Sequence, residues 1–117
     1  MGTATDRSYA SLDDGEETEF DTGLAYAQGR PARVHVRKRG RWYHLDDVGG
    51  AIALAGWSPG WMEAAERVAA EEGLNVTRRG RVFVSAIEGR DVEALIRKVA
   101  ETSLALHDTL LELDGPG

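Results

Sequence analysis

Ala32-Arg33-Val34-His35-Val36-Arg37-Lys38-Arg39-Gly40-Arg41-Trp42-Tyr43-His44-Leu45 is the stretch whose reading decides the fold. In its first half the valines alternate with Arg33, His35 and Arg37, the period-two pattern of a strand with one face buried. Lys38-Arg39-Gly40 supplies a turn, with Gly40 free to take a positive φ. Arg41 to Leu45 is rich in aromatic residues and reads as the returning strand. A β-hairpin is therefore expected over residues 32–45.

Downstream, Asp46-Asp47 stops the strand and offers a carboxylate N-cap to a helix over Val48 to Ala55, closed by Gly56. Ser58-Pro59 reads as a second cap followed by a proline at the first helical position. The helix it opens, Pro59 to Glu72, carries Trp61, Ala65 and Val68 on one face and ends at Gly73. Leu74 to Thr77 and Arg81 to Ile87 then form a second hairpin around Arg78-Arg79-Gly80. From Arg90 to about Leu113 the chain is periodic, with Val92, Leu95, Ile96, Val99, Leu106, Leu110 and Leu113 in one stripe. Hairpins alternating with segregated helices argue for an α+β fold. Two antiparallel β-hairpins form a small sheet, packed against two shorter helices and a long C-terminal helix.

Upstream the character changes. The 117 residues carry a net charge of −6, and the first 23 hold seven acids (Asp6, Asp13, Asp14, Glu16, Glu17, Glu19, Asp21) against one base, Arg7. That segment alone accounts for the net charge. With few large apolar residues to offset its ordering entropy, residues 1–22 read as an acidic, mostly disordered tail, parts of which Tyr9, Leu12 and Phe20 can pin down. Phe20 to Tyr26 reads as an edge strand or an irregular lead-in. Residues 23–114 then form one α+β domain, and 115–117 a C-terminal end. Hydrophobic content of 42% and charged content of 29% suit a globular domain. The absence of cysteine removes disulfides, thiolate metal sites and cysteine nucleophiles. Neither a secretory signal nor an apolar run long enough to span a bilayer is present, so a cytoplasmic protein is expected.

Three groups of residues invite a functional reading. Arg33, Arg37, Lys38, Arg39 and Arg41, beside Trp42, combine cations for phosphate with an aromatic face for a base. Arg78, Arg79 and Arg81 extend that patch if the two hairpins are neighbours. On this reading the acidic tail is a tethered competitor for the basic hairpin. The plainer alternatives are a solvated edge hairpin and a solubilising tail. A second group, Leu104, Leu106, Leu110 and Leu111 of the last helix together with Trp57, exceeds what a small sheet covers and predicts a homodimer or a protein partner. Of Trp57 and Trp61, at least one is expected in the core. Third, His44, Asp46 and Asp47 have the chemistry of a metal or acid–base site. Asp46 and Asp47 are better explained as turn and cap, and no second histidine sits at ligand spacing. Ser58 and Ser85 lack the glycine elbow of a serine nucleophile, and Gly49-Gly50 lacks the lysine of a phosphate loop. No enzyme activity, cofactor or metal is expected.

The run Trp42-Tyr43-His44-Leu45-Asp46-Asp47-Val48-Gly49 resembles the motif of a bacterial and phage family, domain of unknown function 1828. The order of elements is similar over residues 24–113. In that family the Asp is followed directly by Gly, whereas here Val48 intervenes. The resemblance implies a mobile-element or host-defence setting and supplies no catalytic residues. The sequence thus predicts a non-catalytic, self-associating interaction module, with a nucleic-acid-binding regulator as the alternative.

Overall fold

The valines of the central hairpin all point one way, and the molecule is built on that side of them. The computed structural model describes Tyr9 and residues 12–113. Its elements are β1 (Glu17–Ala25), β2 (Pro31–Arg39), β3 (Trp42–Asp46), α1 (Gly50–Ala55), α2 (Trp61–Glu71), β4 (Asn75–Val76), β5 (Val82–Ile87) and α3 (Val92–Leu113). The five strands form one sheet in the order β1-β2-β3-β5-β4, every neighbouring pair antiparallel. The expected α+β architecture is present, with all three helices among the described residues in the expected order.

The central hairpin turns at Gly40, whose φ is 60°. Its register places Val36 opposite Leu45 and Lys38 opposite Tyr43. Val34, Val36, Tyr43, Leu45, Val82 and Ala86 line the inner face of the sheet and are buried. Against them lies α3, 22 residues long and thus ~33 Å from end to end. It touches β1, β2, β3 and β5, and α1 and α2 flank it. Ile96, Val99, Leu106 and Leu110 are buried at this contact, and each such leucine contributes roughly 1.5–3 kcal/mol of apolar burial.

The strand at the acidic end is a correction. β1 begins at Glu17, inside the segment expected to be a disordered tail, and pairs with β2 from Glu17–Arg37 to Asp21–Arg33. The anchors expected in this segment do pack: Leu12 is buried in the core, Phe20 packs against it, and Tyr9 stands edge-on to Tyr43 with ring centroids 5.5 Å apart. An edge strand needs one inner row only, here Thr18, Phe20, Thr22 and Leu24. The acids of the outer row face the cations of β2, so their charge does not oppose order. The rest of the tail, residues 1–8, 10 and 11, and the C-terminal end from 114 lie outside the described residues.

The helix starts are corrections too. α1 begins at Gly50 after Gly49 in the left-handed region, and α2 at Trp61 after Gly60 in the same region, neither with a side-chain cap. Asp46 and Asp47 instead accept hydrogen bonds from the amides two residues on, Val48 at 2.7 Å and Gly49 at 2.9 Å. These are Asx turns. They carry Val48 to a φ of 51°, the one non-glycine residue with positive φ among the described residues. Ser58 is buried, and its carbonyl rather than its hydroxyl accepts from the Trp61 amide at 3.0 Å.

Candidate functional site

Alternation along β2 sends Arg33, His35, Arg37 and Arg39 to the outer face of the sheet, opposite the face on which α3 packs. Register sets carboxylates beside them on both flanks. Glu17 lies across from Arg37, and Asp46 across from His35. Arg37 Nη2 donates to Glu17 Oε2 at 3.1 Å, and His35 Nε2 bonds Glu17 Oε1 at 2.6 Å. His35 Nδ1 lies 3.4 Å from Asp46 Oδ2, and Arg81 Nη1 3.9 Å from Asp46 Oδ1. The hydrogen bond from His35, then that from Arg37, holds the Glu17 carboxyl below its ordinary range. Between these groups lies an open depression of about 360 Å3, lined by His35, Arg37, Arg39, His44, Asp46 and Arg81.

The basic hairpin therefore divides. Lys38 leaves the outer face. Its Nζ sits 5.3 Å from the centre of the Tyr43 ring and 3.3 Å from Glu88, and the bond to Glu88 raises its pKa. Arg41 shares Glu88 at 3.6 Å. Arg33 and Arg39 are exposed, with no ion pair among the described residues. The hairpins are neighbours through β3 and β5, but their turns point to opposite ends of the sheet. Ile87 lies across from Trp42, beside the Gly40 turn, whereas Val82 lies at the Asp47 end. Arg78 and Arg79 are thus remote from Arg39 and Arg41, and of that second turn only Arg81 reaches the depression.

His44, Asp46 and Asp47 do not converge. His44 and Asp46 are on the outer face, where His44 Nδ1 bonds Ser85 Oγ at 2.7 Å. Asp47 points the other way and is 1% exposed. Its Oδ1 accepts from the Gly49 amide at 2.9 Å and the Val82 amide at 3.0 Å, and its Oδ2 from Ser103 Oγ at 2.6 Å. Tyr26 Oη, 2.7 Å from Ser103 Oγ, supplies the next proton in the chain. Burial pushes both the Asp47 carboxyl and the Tyr26 phenol above their ordinary values. One carboxylate thereby ties β3, α1, β5 and α3 together. Among the described residues no cluster of three or more His, Asp or Glu side chains is arranged to hold a metal ion.

Sequence reasoning missed this cluster, because Asp47, Ser103 and Tyr26 lie far apart in the chain. The signal available was a pair of polar residues, Thr102 and Ser103, interrupting the apolar stripe of the last helix. His107 was also passed over. It is fully buried, with Nε2 3.0 Å from Gln28 Nε2 and Nδ1 3.2 Å from Asp108 Oδ1. The Gln28 amide donating to Nε2 leaves Nδ1–H to donate to Asp108.

The expected interface residues separate into two sets. Leu106 and Leu110 are core residues, 1% and 0% exposed, so neither is available to a partner. Leu104 is half-buried against the core, while Leu111 and Leu113 at the helix end are exposed. Trp57 is 59% exposed and stands edge-on to Trp61, ring centroids 4.6 Å apart. Trp61 is the half-buried member that packs on the core.

A cleft of about 440 Å3 opens on the inner side of the sheet where β4 stops. Leu74, Val84, Ala86 and Leu95 supply apolar lining, and Trp42 and Ile87 stand at its outer end. Arg90, Lys98 and Glu72 supply its charge. No helix among the described residues is long and apolar enough to cross a membrane. No family model matches the chain, and neither a curated protein nor a solved structure matches it.

Proposed function

We propose that this domain is a non-catalytic protein-interaction module that associates with itself. The observation that carries the reading is Trp57, 59% exposed while its ring is steadied edge-on by Trp61. A rigid, amphipathic ring held outside the core is the side chain most enriched at interface hot spots. Leu111 and Leu113, exposed on the last turns of α3, add apolar surface. The phage-family resemblance extends the proposal to a mobile-element or host-defence setting. The test is light scattering over a range of concentrations. A mass above that of one chain, lowered by Trp57→Ala or Leu111→Glu, is expected. A single-chain mass at every concentration refutes self-association.

One observation favours a second reading, a nucleic-acid-binding regulator. Arg39, which lines the depression with Arg37, Arg81 and His44, and Arg33, further along β2 and across from Asp21, make no ion pair among the described residues. Against it stands the matching of the other outer-face cations with Glu17 and Asp46. A polyanion must displace those carboxylates before it gains phosphate contacts. Salt-sensitive anisotropy with single-stranded DNA, lost in Arg33→Ala/Arg39→Ala, would support this reading over the first.

A further inference from the structure

The sheet has two open edges, and they are not alike. β1 carries Glu17, Glu19 and Asp21 along its outer row, charges of the kind that discourage a further strand. The other edge is unfinished. β4 has two residues and covers only Val82 and Phe83 of β5. Just before it, the Leu74 amide bonds back to the Ala69 carbonyl at 2.8 Å, which holds the chain on the end of α2 and out of the sheet. Among the described residues, Val84–Ile87 therefore has a strand on one side only.

The hydrogen-bond pattern says which groups face the gap. The Asp47 amide donates to the Val82 carbonyl at 3.0 Å and the Glu88 amide to the Arg41 carbonyl at 2.7 Å. The even-numbered residues of β5 thus turn their backbone groups to β3, and by alternation Ser85 and Ile87 turn theirs to the open side. The Ile87 carbonyl is taken by the Arg90 amide at 3.2 Å. The Ser85 N–H and C=O and the Ile87 N–H have no backbone partner among the described residues, and they are spaced as a ladder for a further strand. No charged side chain blunts this stretch of β5, and its outer row here is Ser85 and Ile87.

Beside that ladder lies the cleft floored by Leu74 and Leu95, with Arg90 and Lys98 against a single acid, Glu72. Neither base has an ion-pair partner among the described residues. We propose that the open edge of β5 at Ser85 and Ile87 takes up, as an added strand, an extended peptide segment whose inward-facing row carries both apolar and acidic residues. Main-chain bonds supply the attachment, while Leu74 and Leu95 receive apolar side chains and Arg90 and Lys98 select the acidic ones. This proposal rests on the reading of the domain as an interaction module and names the partner's chemistry.

The test uses the full chain and fluorescein-labelled hexapeptides, blocked at both ends, with threonine at every second position and, in the row between, two valines flanking one glutamate, glutamine or lysine. Saturable anisotropy is expected for the glutamate peptide, about tenfold weaker binding for the glutamine one, and none for the lysine one. N-methylation of alternate backbone amides should abolish binding without touching a side chain. Arg90→Ala/Lys98→Ala, both outside the core, should weaken the glutamate peptide about tenfold and leave the glutamine peptide unchanged. No saturable binding of the glutamate peptide, equal binding of the N-methylated one, or equal binding of the lysine one overturns the proposal. Failure here with a concentration-dependent mass in light scattering sinks the cleft and leaves self-association standing. A single-chain mass with peptide binding does the reverse.

Discussion

Replacing Asp47 by alanine should destabilise the domain more than any loss of apolar area at that position would. Its carboxylate receives two buried backbone amides, Gly49 and Val82, and the Ser103 hydroxyl. A buried donor without a partner costs ~1–3 kcal/mol, so the two amides together are worth about 4 kcal/mol. Ser103 can swing to a carbonyl one turn back in α3 and adds little. Relief of the buried charge offsets part of the loss, which leaves about 3 kcal/mol. Asparagine keeps an oxygen for both amides and disturbs only the Ser103 bond, at about 1 kcal/mol. Urea unfolding followed by tryptophan fluorescence reads the difference, with the alanine midpoint lower by ~1–2 M. The pH dependence is a second signature. Because burial raises the Asp47 pKa above 3.8, the folded state holds this proton longer than the unfolded chain. Its contribution to stability is thus complete below pH 3.8 and falls as pH rises through the folded pKa. An asparagine amide does not titrate and has no such loss, so the penalty of Asp47→Asn should shrink from acid to neutral pH. An alanine variant within about 1 kcal/mol of the parent, or one no worse than the asparagine variant, would refute the reasoning.

Val48→Gly should stabilise the chain by about 0.5–1 kcal/mol, since a left-handed β-branched residue costs ~1–2 kcal/mol and the added freedom of unfolded glycine returns part of it. Val48 is exposed, so little burial is lost, and a lowered melting temperature would contradict the assignment of strain. A chain beginning at Thr22 should lose stability rather than gain nucleic-acid affinity, because Leu12, Phe20 and the ladder from Glu17 to Asp21 go with the deleted segment. Circular dichroism and a melting curve check this, and an unchanged melting temperature with tighter DNA binding would restore the tethered-competitor idea.

Where periodicity carried the reading, the sequence was legible. The valines of β2, the aromatic return of β3 and the stripe of α3 each repeat at the period of their element, and each forms close to its expected bounds. Counting the stripe could not say how much of it a sheet would cover. Leu106 and Leu110 looked surplus against a sheet of two hairpins. The fifth strand, β1, widens that sheet and also packs on α3, so both leucines are enclosed. The error about the acidic segment and the error about the interface are therefore one error. Asp47 was legible as a turn residue but not as a buried hub, because its partners come from β5 and α3.

The charge separation in the sequence takes a different meaning once β1 and β2 are seen as neighbours. An acidic run and a basic run of comparable length, 17–21 and 33–37, are brought side by side in antiparallel register. Glu17 lies across from Arg37, and Asp21 across from Arg33. Opposite charges directly across an antiparallel pair stabilise the pairing of these two strands. The charge pattern thus favours β1 beside β2, and at the outer edge of β1 it also discourages a sixth strand. It leaves the edge of β5, without such charges, as the side of the sheet on which pairing can continue.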